Sequence, residues 1–520
     1  MLGFIHATMT AAAAVAQAAS APPSYAGPTP AEQCRPDLEA PGVPTPAQIV
    51  DGARLDGPRA LLALRRSRGG ELIIVTGGRF RNADLSGARL RNICFIDADF
   101  AGSDWRGAEA ERITFVRGDL TGARLAGARM PGVIFRDSVL DDVDASGAML
   151  AGGRIEGGSL LGLERLRLDR ADLSGFRFNC GITVSHGCIL QTTLSMRGAN
   201  LTGADLETIW FTPDWTGARF DRTSVRPMQL AELRTADLAG PLLLRGGNVT
   251  VELSPADHAA LLPQIRLEDD AAAPSFDCRR SESPIERAIC APEAGHLRSL
   301  DRELHALYRR AVALDPGVAA EQRAWIRERD RCGVDCLERS YRRGMDRLIA
   351  RLGPPQWARP GASALFVMPE IFFEDSFRAS PLYRRLLPAI VGSASGRVLV
   401  LVNPDGTIEA HGDAIGGNAH LCGLHGRQLR FDPSTGWYSG PQEPYRTDPP
   451  ELRGRPMRVL RFWGDWADVF GGGRPDWVTA DTRNSDYASC GARAGFGRLL
   501  RVPVTEAEVR ELLEEYRDIE

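Results

Sequence analysis

A five-residue period constrains this chain more than any other feature. Counting by fives, Phe80, Leu85, Leu90, Phe95, Phe100, Trp105, Ala110, Phe115, Leu120, Leu125, Met130, Phe135, Leu140, Ala145, Leu150, Ile155 and Leu160 are all apolar, seventeen in succession. Two residues before each stands a second inward candidate, from Gly78, Ala83 and Ala88 to Gly158, and thirteen of these seventeen are Ala, Gly or Ser. A large and a small inward residue separated by a polar one describe an extended segment that turns a corner every five residues. Four sides close one square coil, and coils stack at about one strand spacing, ~4.8 Å. The small residue admits the backbone at each corner, and the large one fills the interior. Seventeen units make a little over four coils, a column of roughly 20 Å. The fold class predicted for this tract is a right-handed quadrilateral β-helix.

The units Ala83-Asp84-Leu85-Ser86-Gly87, Gly118-Asp119-Leu120-Thr121-Gly122 and Ala123-Arg124-Leu125-Ala126-Gly127 resemble the pentapeptide-repeat family. The register slips after Leu160 and resumes at Leu168, Leu173 and Phe178. It breaks between Cys180 and Cys188, as a disulfide-closed loop would, then returns at Met196, Leu201 and Leu206. The solenoid is assigned to 77–240, with an N-terminal segment and cap at 19–76 and a further cap and linker at 241–274. Some members of that family are cytoplasmic DNA mimics that bind gyrase, which requires a strongly acidic rod. Between Arg79 and Phe178 fifteen arginines face fifteen acids. So neutral a surface suits a spacer or a protein-docking face.

At 520 residues the chain exceeds one hydrophobic core and implies several domains. Its formal charge is -4, which gives no global attraction for nucleic acid. All 63 basic residues are arginine, which excludes Schiff-base lysines, Walker lysines and Ser-Lys dyads. Residues 2–19 carry no Arg, Asp or Glu, and Ala16-Gln17-Ala18 offers a small-x-small cleavage site, so 1–18 reads as a signal peptide. No other stretch is apolar enough to span a membrane. Ten cysteines then suit five disulfides in an oxidising compartment, and the expected localisation is periplasmic or secreted. The disulfide candidates fall into local groups, Cys180 with Cys188, Cys278, Cys290, Cys332 and Cys336 together, and Cys422 with Cys490, leaving Cys34 and Cys94.

Helical spacing recurs at Leu297, Leu300, Leu304 and Leu307 and at Leu337, Tyr341, Met345, Leu348 and Leu352, with a turn near Asp315-Pro316-Gly317. An α-helical, disulfide-bonded hairpin is therefore predicted over 275–352. On a regular helix Cys332 and Cys336 would lie ~5 to 6 Å apart, too far to bond each other, so each is expected to cross to Cys278 or Cys290. Which pairs with which stays open. Phe276-Asp277-Cys278, Ser283-Pro284-Ile285-Glu286, Ile289-Cys290, Leu300-Asp301, Glu321-Gln322, Trp325, Arg329-Asp330, Cys336-Leu337 and Tyr341 resemble the LprI-type lysozyme-inhibitor domain. That resemblance implies an envelope protein, in some members an inhibitor of lysozyme. Glu321, Gln322, Trp325, Arg329 and Asp330 are the candidate binding residues, although helix capping, core packing and salt bridging would explain the same types. From Cys278 to Arg351 there are sixteen arginines and twelve acids, a surplus that favours an anionic partner over a cationic lysozyme.

A Pro-rich linker, 353–362, leads to a β-rich α+β domain at 363–520. Strands are predicted at 397–402, 407–410, 428–431 and 458–462, and a terminal helix at 506–516. Gly417-Asn418-Ala419-His420-Leu421-Cys422 and Ser489-Cys490-Gly491 resemble the β-domains that accompany LprI-type modules. His411, His420 and His425 with Cys422 are irregularly spaced and read as structure, so no metal or other cofactor is called. Trp463, Trp466 and Trp477 with Asp465, Asp468 and Asp476 could form a sugar-stacking groove with acid and base carboxylates, or a core with turn aspartates. No G-x-S-x-G, H-E-x-x-H or phosphate-loop motif occurs. The sequence thus predicts an exported, non-catalytic binding protein whose partner is a lysozyme or another wall-cleaving enzyme. A glycan-binding or glycan-active C-terminal domain and a pure scaffold are the alternatives.

Overall fold

In a computed structural model, the five-residue period coils as its spacing requires. The described residues are 28–35, 46–55, 72–157, 163–180, 194–209, 213–266, 274–281, 283–331, 333, 336–374, 376–415, 421–440, 456–469, 488–490 and 496–517. The expected signal peptide, 1–18, and residues 181–188 of the expected Cys180–Cys188 loop fall outside them. Two compact units result, one of 1–264 with 379–393 and one of 265–378 with 394–520.

The first unit begins with α1 (Pro30–Gln33) and a parallel sheet stacked in chain order: β1 (Pro46–Asp51), β2 (Leu72–Thr76), β3 (Arg89–Ile96), β4 (Glu109–Val116), β5 (Ile134–Arg136), β6 (Arg154–Gly157) and β7 (Arg177–Cys180). Other sides of the coil are held by single parallel bridges such as Asp99 with Asp119 and Asp104 with Arg124. The ladder therefore starts before Gly77, because β1 and β2 already lie in it. Ile93 faces Ile113 and Ile134 faces Arg154, a step of 20 residues per coil. The step widens to 23 between Arg154 and Arg177, to 28 between Arg177 and Asp205, and falls to 19 between Asp205 and Ser224. The inward positions stay aligned on both sides of these changes in step.

Every inward large residue from Phe80 to Ile155 is buried. Phe95, Phe115 and Phe135 stack down the column with centroids 5.5 and 5.4 Å apart. The corners explain the rest of the repeat. Ala88 N–H donates to the Leu85 carbonyl at 3.0 Å, with Gly87 at φ 59° in the third place of the turn, where a Cβ would be strained. Asp84 Oδ1 accepts from Ser86 N at 3.0 Å and Ser86 Oγ at 2.6 Å. Asp119 with Thr121, Asp144 with Ser146 and Asp214 with Thr216 repeat that bond pair. The outward acid is a turn-closing group.

Cys34 and Cys94, whose role the sequence left open, form a disulfide that ties the segment after α1 to β3. Cys34, Ile74, Cys94, Ile96 and Val116 make a small core there, and Arg136 Nη2 donates to the Arg35 carbonyl at 3.0 Å. At the other end follow β8 (Arg219–Phe220), β9 (Thr223–Val225), β10 (Asp237–Leu238), β11 (Leu242–Gly246), β12 (Val249–Leu253) and α2 (Pro255–Leu261). β11 joins β9 in parallel and β12 antiparallel, so a hairpin ends the stack.

The second unit opens with β13 (Ile265–Arg266), α3 (Pro284–Cys290), α4 (Gly295–Leu314), α5 (Val318–Arg331), α6 (Leu337–Leu352), β14 (Ser363–Val367) and β15 (Phe372–Phe373). The predicted hairpin is thus three long helices with a short one before them. The Pro-rich stretch read as a linker packs inward, with Trp357 against Phe366 and Phe462 at 5.6 and 5.0 Å. The next helix, α7 (Pro381–Gly392), belongs to the first unit and packs on β11 and β12. Gly246 permits that approach, since a Cβ there would stand 1.7 Å from the Ala389 carbonyl oxygen.

The chain then returns to the second unit with β16 (Gly396–Val402), β17 (Ile408–Ile415), β18 (Leu421–Asp432), β19 (Trp437–Gly440), β20 (Met457–Trp463), β21 (Trp466–Val469), β22 (Ala488–Cys490), β23 (Leu499–Val502) and α8 (Glu506–Arg517). The sheet order is β17-β16-β14-β23-β21-β20-β19-β18-β22, and β17 also pairs with β18. Eight antiparallel strands therefore close a barrel, with β22 attached to β18. Phe366, Val398, Val400, Ala410, Leu424, Leu460, Phe462 and Leu499 belong to its buried core, as expected where eight strands leave room for side chains only. Closure pairs each of the eight barrel strands on both sides. α8 is clamped on by Arg397, whose Nε reaches Asp413 at 2.8 Å and Nη2 reaches Glu515 at 2.5 Å, while Tyr516 OH donates to Asp413 at 2.8 Å.

Candidate binding site

The helical module is built around a buried polar chain. Tyr341 on α6 donates its hydroxyl to Asp301 on α4 at 2.8 Å, and Arg329 Nη1 on α5 lies 3.3 Å from the same oxygen. Asp301 also accepts from Ser275 N at 2.6 Å, and Arg329 grips Asp330 at 2.7 Å. Burial, with the Asp301 charge beside it, pushes the Tyr341 phenol far above its ordinary pKa, so it is a hydrogen-bond donor at any physiological pH. Trp325 stacks edge-on to Tyr341 at 5.4 Å and donates Nε1–H to the Ser340 carbonyl at 3.2 Å. Gly344 brings α6 close, since a Cβ would meet Leu304 at 2.7 Å.

These contacts place the five candidate residues. Gln322, Trp325 and Arg329 are buried; they frame the module. Glu321 and Asp330 reach the surface, where Glu321 pairs with Arg351 at 2.5 Å.

The cysteine pairing corrects the sequence expectation. Cys278 bonds Cys290, twelve residues on. The regular-helix premise fails because α5 ends at Arg331 and Cys336 sits at the N-terminus of α6. Cys336 is itself disulfide-bonded, and Cys332 lies outside the described residues. Cys422 is disulfide-bonded too, and Cys490 faces it in register across β18 and β22.

The sugar-stacking groove is not formed by the tryptophans described. Trp463 and Trp466 face each other across the β20–β21 turn and are buried in one core with Leu297, Tyr341 and Leu500. Asp465 is taken by Arg501 at 2.7 Å; Trp477, Asp476 and the Asp468 side chain lie outside the described residues. His411 and His425, opposite each other on β17 and β18, bring their Nδ1 atoms within 3.1 Å. His420 falls outside the described residues. Among the described residues no group of three His, Cys, Asp or Glu could hold a metal, and no helix is long and apolar enough to cross a membrane.

Sequence reasoning did not identify a cleft of about 360 Å³ in the second unit. One wall is α6, where Arg343, Arg347 and Arg351 recur at four-residue spacing on one face. Facing them are Ser434 and Thr435, from the turn between β18 and β19, and Arg458 of β20. The negative charges nearby are engaged: Asp346 is bound by Arg461, and Glu321 by Arg351. Arg343 makes no ion pair among the described residues, and Arg347 has Nε and Nη2 buried without a hydrogen-bond partner.

Residues 75–102, 93–130 and 118–157 match the pentapeptide-repeat family model, in eight copies. No curated protein matches the chain. Among solved structures, trypsin-treated QnrB1, a plasmid-mediated fluoroquinolone resistance protein, is 20% identical over 38% of this chain and 89% of its own, with TM-score 0.22. The pentapeptide repeat protein Rfr23 from the cyanobacterium Cyanothece 51142 is 18% identical over 27% and 89%, with TM-score 0.12. A pentapeptide repeat protein of the Arabidopsis thaliana thylakoid lumen is 24% identical over 25% and 70%, with TM-score 0.10.

Proposed function

We propose that the protein is exported and works by binding, without catalysis of its own, with the LprI-like helical module engaging a wall-cleaving enzyme and the solenoid acting as spacer or second docking face. The observation that carries this reading is the module's arginine-rich exterior over a locked interior. Tyr341, Asp301, Arg329, Trp325 and the Cys278–Cys290 bond, all within the residues that resemble LprI, fix the helices. Outside, Arg323, Arg327, Arg331, Arg339 and Arg343 are exposed. A rigid basic surface suits a partner with an acidic face, so the target is an acidic wall hydrolase and not a cationic lysozyme. The Cys34–Cys94 and Cys278–Cys290 bonds support maturation in an oxidising compartment.

The test is a cell-wall turbidity assay with purified mature protein against one acidic and one cationic wall-cleaving enzyme. Inhibition of the acidic enzyme, weakened by salt, is the expected outcome; no inhibition of either at excess protein would remove the reading.

A further inference from the structure

We propose that the arginine cleft of the second unit is a binding site for a phosphorylated sugar. It stands apart from the inhibitor reading, because it concerns a concave site for a small ligand and survives if no hydrolase is inhibited. On the α6 wall three arginines outnumber one carboxylate, Asp346, and that carboxylate is bound by Arg461. Arg347 has two buried guanidinium nitrogens without partners, and a buried donor left unpaired is costly enough to call for one. Arg343, one turn earlier, is exposed and unpaired among the described residues, and Arg458 adds a third guanidinium. A phosphate monoester, with close to two charges and three acceptor oxygens, matches two uncommitted guanidinia.

The opposite wall offers the reverse. Ser434 Oγ donates to Asp432 Oδ1 at 2.6 Å and Thr435 Oγ1 to Asp432 Oδ2 at 2.9 Å. Each hydroxyl has one proton, and both protons are used. What the two oxygens present to the cleft is therefore lone pairs, which cannot hold an anion and readily accept from ligand hydroxyls. A wall that binds an anion, facing a wall that accepts from hydroxyls, describes a site for a sugar phosphate, and the cleft's volume lies in the lower range of small-molecule sites.

Isothermal titration of the full chain with glucose 6-phosphate, its methyl phosphodiester, inorganic phosphate and glucose tests this. The monoester is expected to bind at least about tenfold more tightly than phosphate or the diester, since each lost charge-assisted contact is worth about that factor; glucose alone should give no heat. Phosphate binding as tightly as the sugar phosphate would overturn the sugar assignment, and equal binding of the diester would overturn the monoester and point to a polymer-borne group. Arg347→Met should abolish binding with Tm unchanged or raised, because it removes unpaired buried donors; a lower Tm would mean a structural role. Arg343→Ala, at an exposed position, should weaken the monoester about tenfold, and full binding by that variant would overturn the proposal even if Arg347→Met failed to fold.

Discussion

The solenoid and the helix-and-barrel unit treat charge in opposite ways. Stacked coils set equivalent positions one strand spacing apart, so like charges at one pentad position would repel along the ladder. Asp99 lies directly against Asp119, and Arg81 answers both, at 3.0 and 3.7 Å. Arg117 pairs with Asp97 at 2.8 Å and Arg165 with Asp142 at 2.5 Å. Most of this unit's carboxylates serve a corner, a neighbouring coil or both. In the second unit the ion pairs that matter are interior, at Arg329, Arg397 and Arg461, while Arg343 and Arg347 make no ion pair among the described residues. Charge that the fold consumes cannot recognise a partner; charge that it leaves over can.

The sharpest way to break this comparison is in the two interiors. Phe115→Ala should cost the first unit about 3–5 kcal/mol, the usual range for truncating a buried ring. Because each coil contacts only its neighbours, hydrogen exchange should lose protection around Phe95, Phe115 and Phe135 first and keep it at Leu201 and Leu206. Uniform loss would show that the column unfolds as one body. Next in size, Tyr341→Phe should destabilise the second unit by about 1–3 kcal/mol, because Asp301 and Arg329 keep their burial and lose a partner. Arg117→Ala, which breaks an exposed solenoid pair, should cost no more than about 1 kcal/mol. Urea titrations measure both, and equal effects would erase the distinction between interior and surface charge.

What the sequence made legible follows the range of the interactions. A five-residue unit specifies its own corner, so the solenoid and its inward residues were readable from Phe80 onward. The coils of β1 and β2 were missed: Ile73 and Val75 keep the pentad register and stack on Ile93 and Phe95, but Gly70 and Arg65 occupy the large positions before them, so β1 is recognisable only by the strand it stacks on. Strands β16, β17, β18 and β20 matched alternation or turn signals, but pairing of β17 with β18 to close the barrel is not a local property. α7 escaped notice because Pro388 interrupts a helical reading. The cleft shows the same limit: Arg343, Arg347 and Arg351 announce one helix face, whereas Arg458 joins them only through the barrel. Trp463 and Trp466 were chemically suggestive, and only packing on the helices reveals them as core.

The smallest expected effect concerns acid. Hydrogen bonding from Arg106 holds the Asp104 carboxyl at about 2, and bonds from Ser86 and Thr216 lower those of Asp84 and Asp214. A carboxyl whose folded pKa lies below its unfolded value of about 3.9 binds fewer protons in the folded state. Its contribution is complete above that value and is lost as pH falls toward 2. The first unit should therefore lose some stability just below neutrality, where the unfolded chain protonates His258 while burial keeps the folded imidazole neutral, and weaken further below about 4 as the corner acids protonate. Asp104→Asn should flatten the acid limb slightly by removing one such group, while the amide oxygen can still accept from Arg106 N. Thermal denaturation of wild type and variant from pH 7 to pH 2 reads the difference. An unchanged acid limb would mean that the corner acids are held no better in the folded chain than in the unfolded one, and the solenoid's surface charge would then be as uncommitted as that of the second unit.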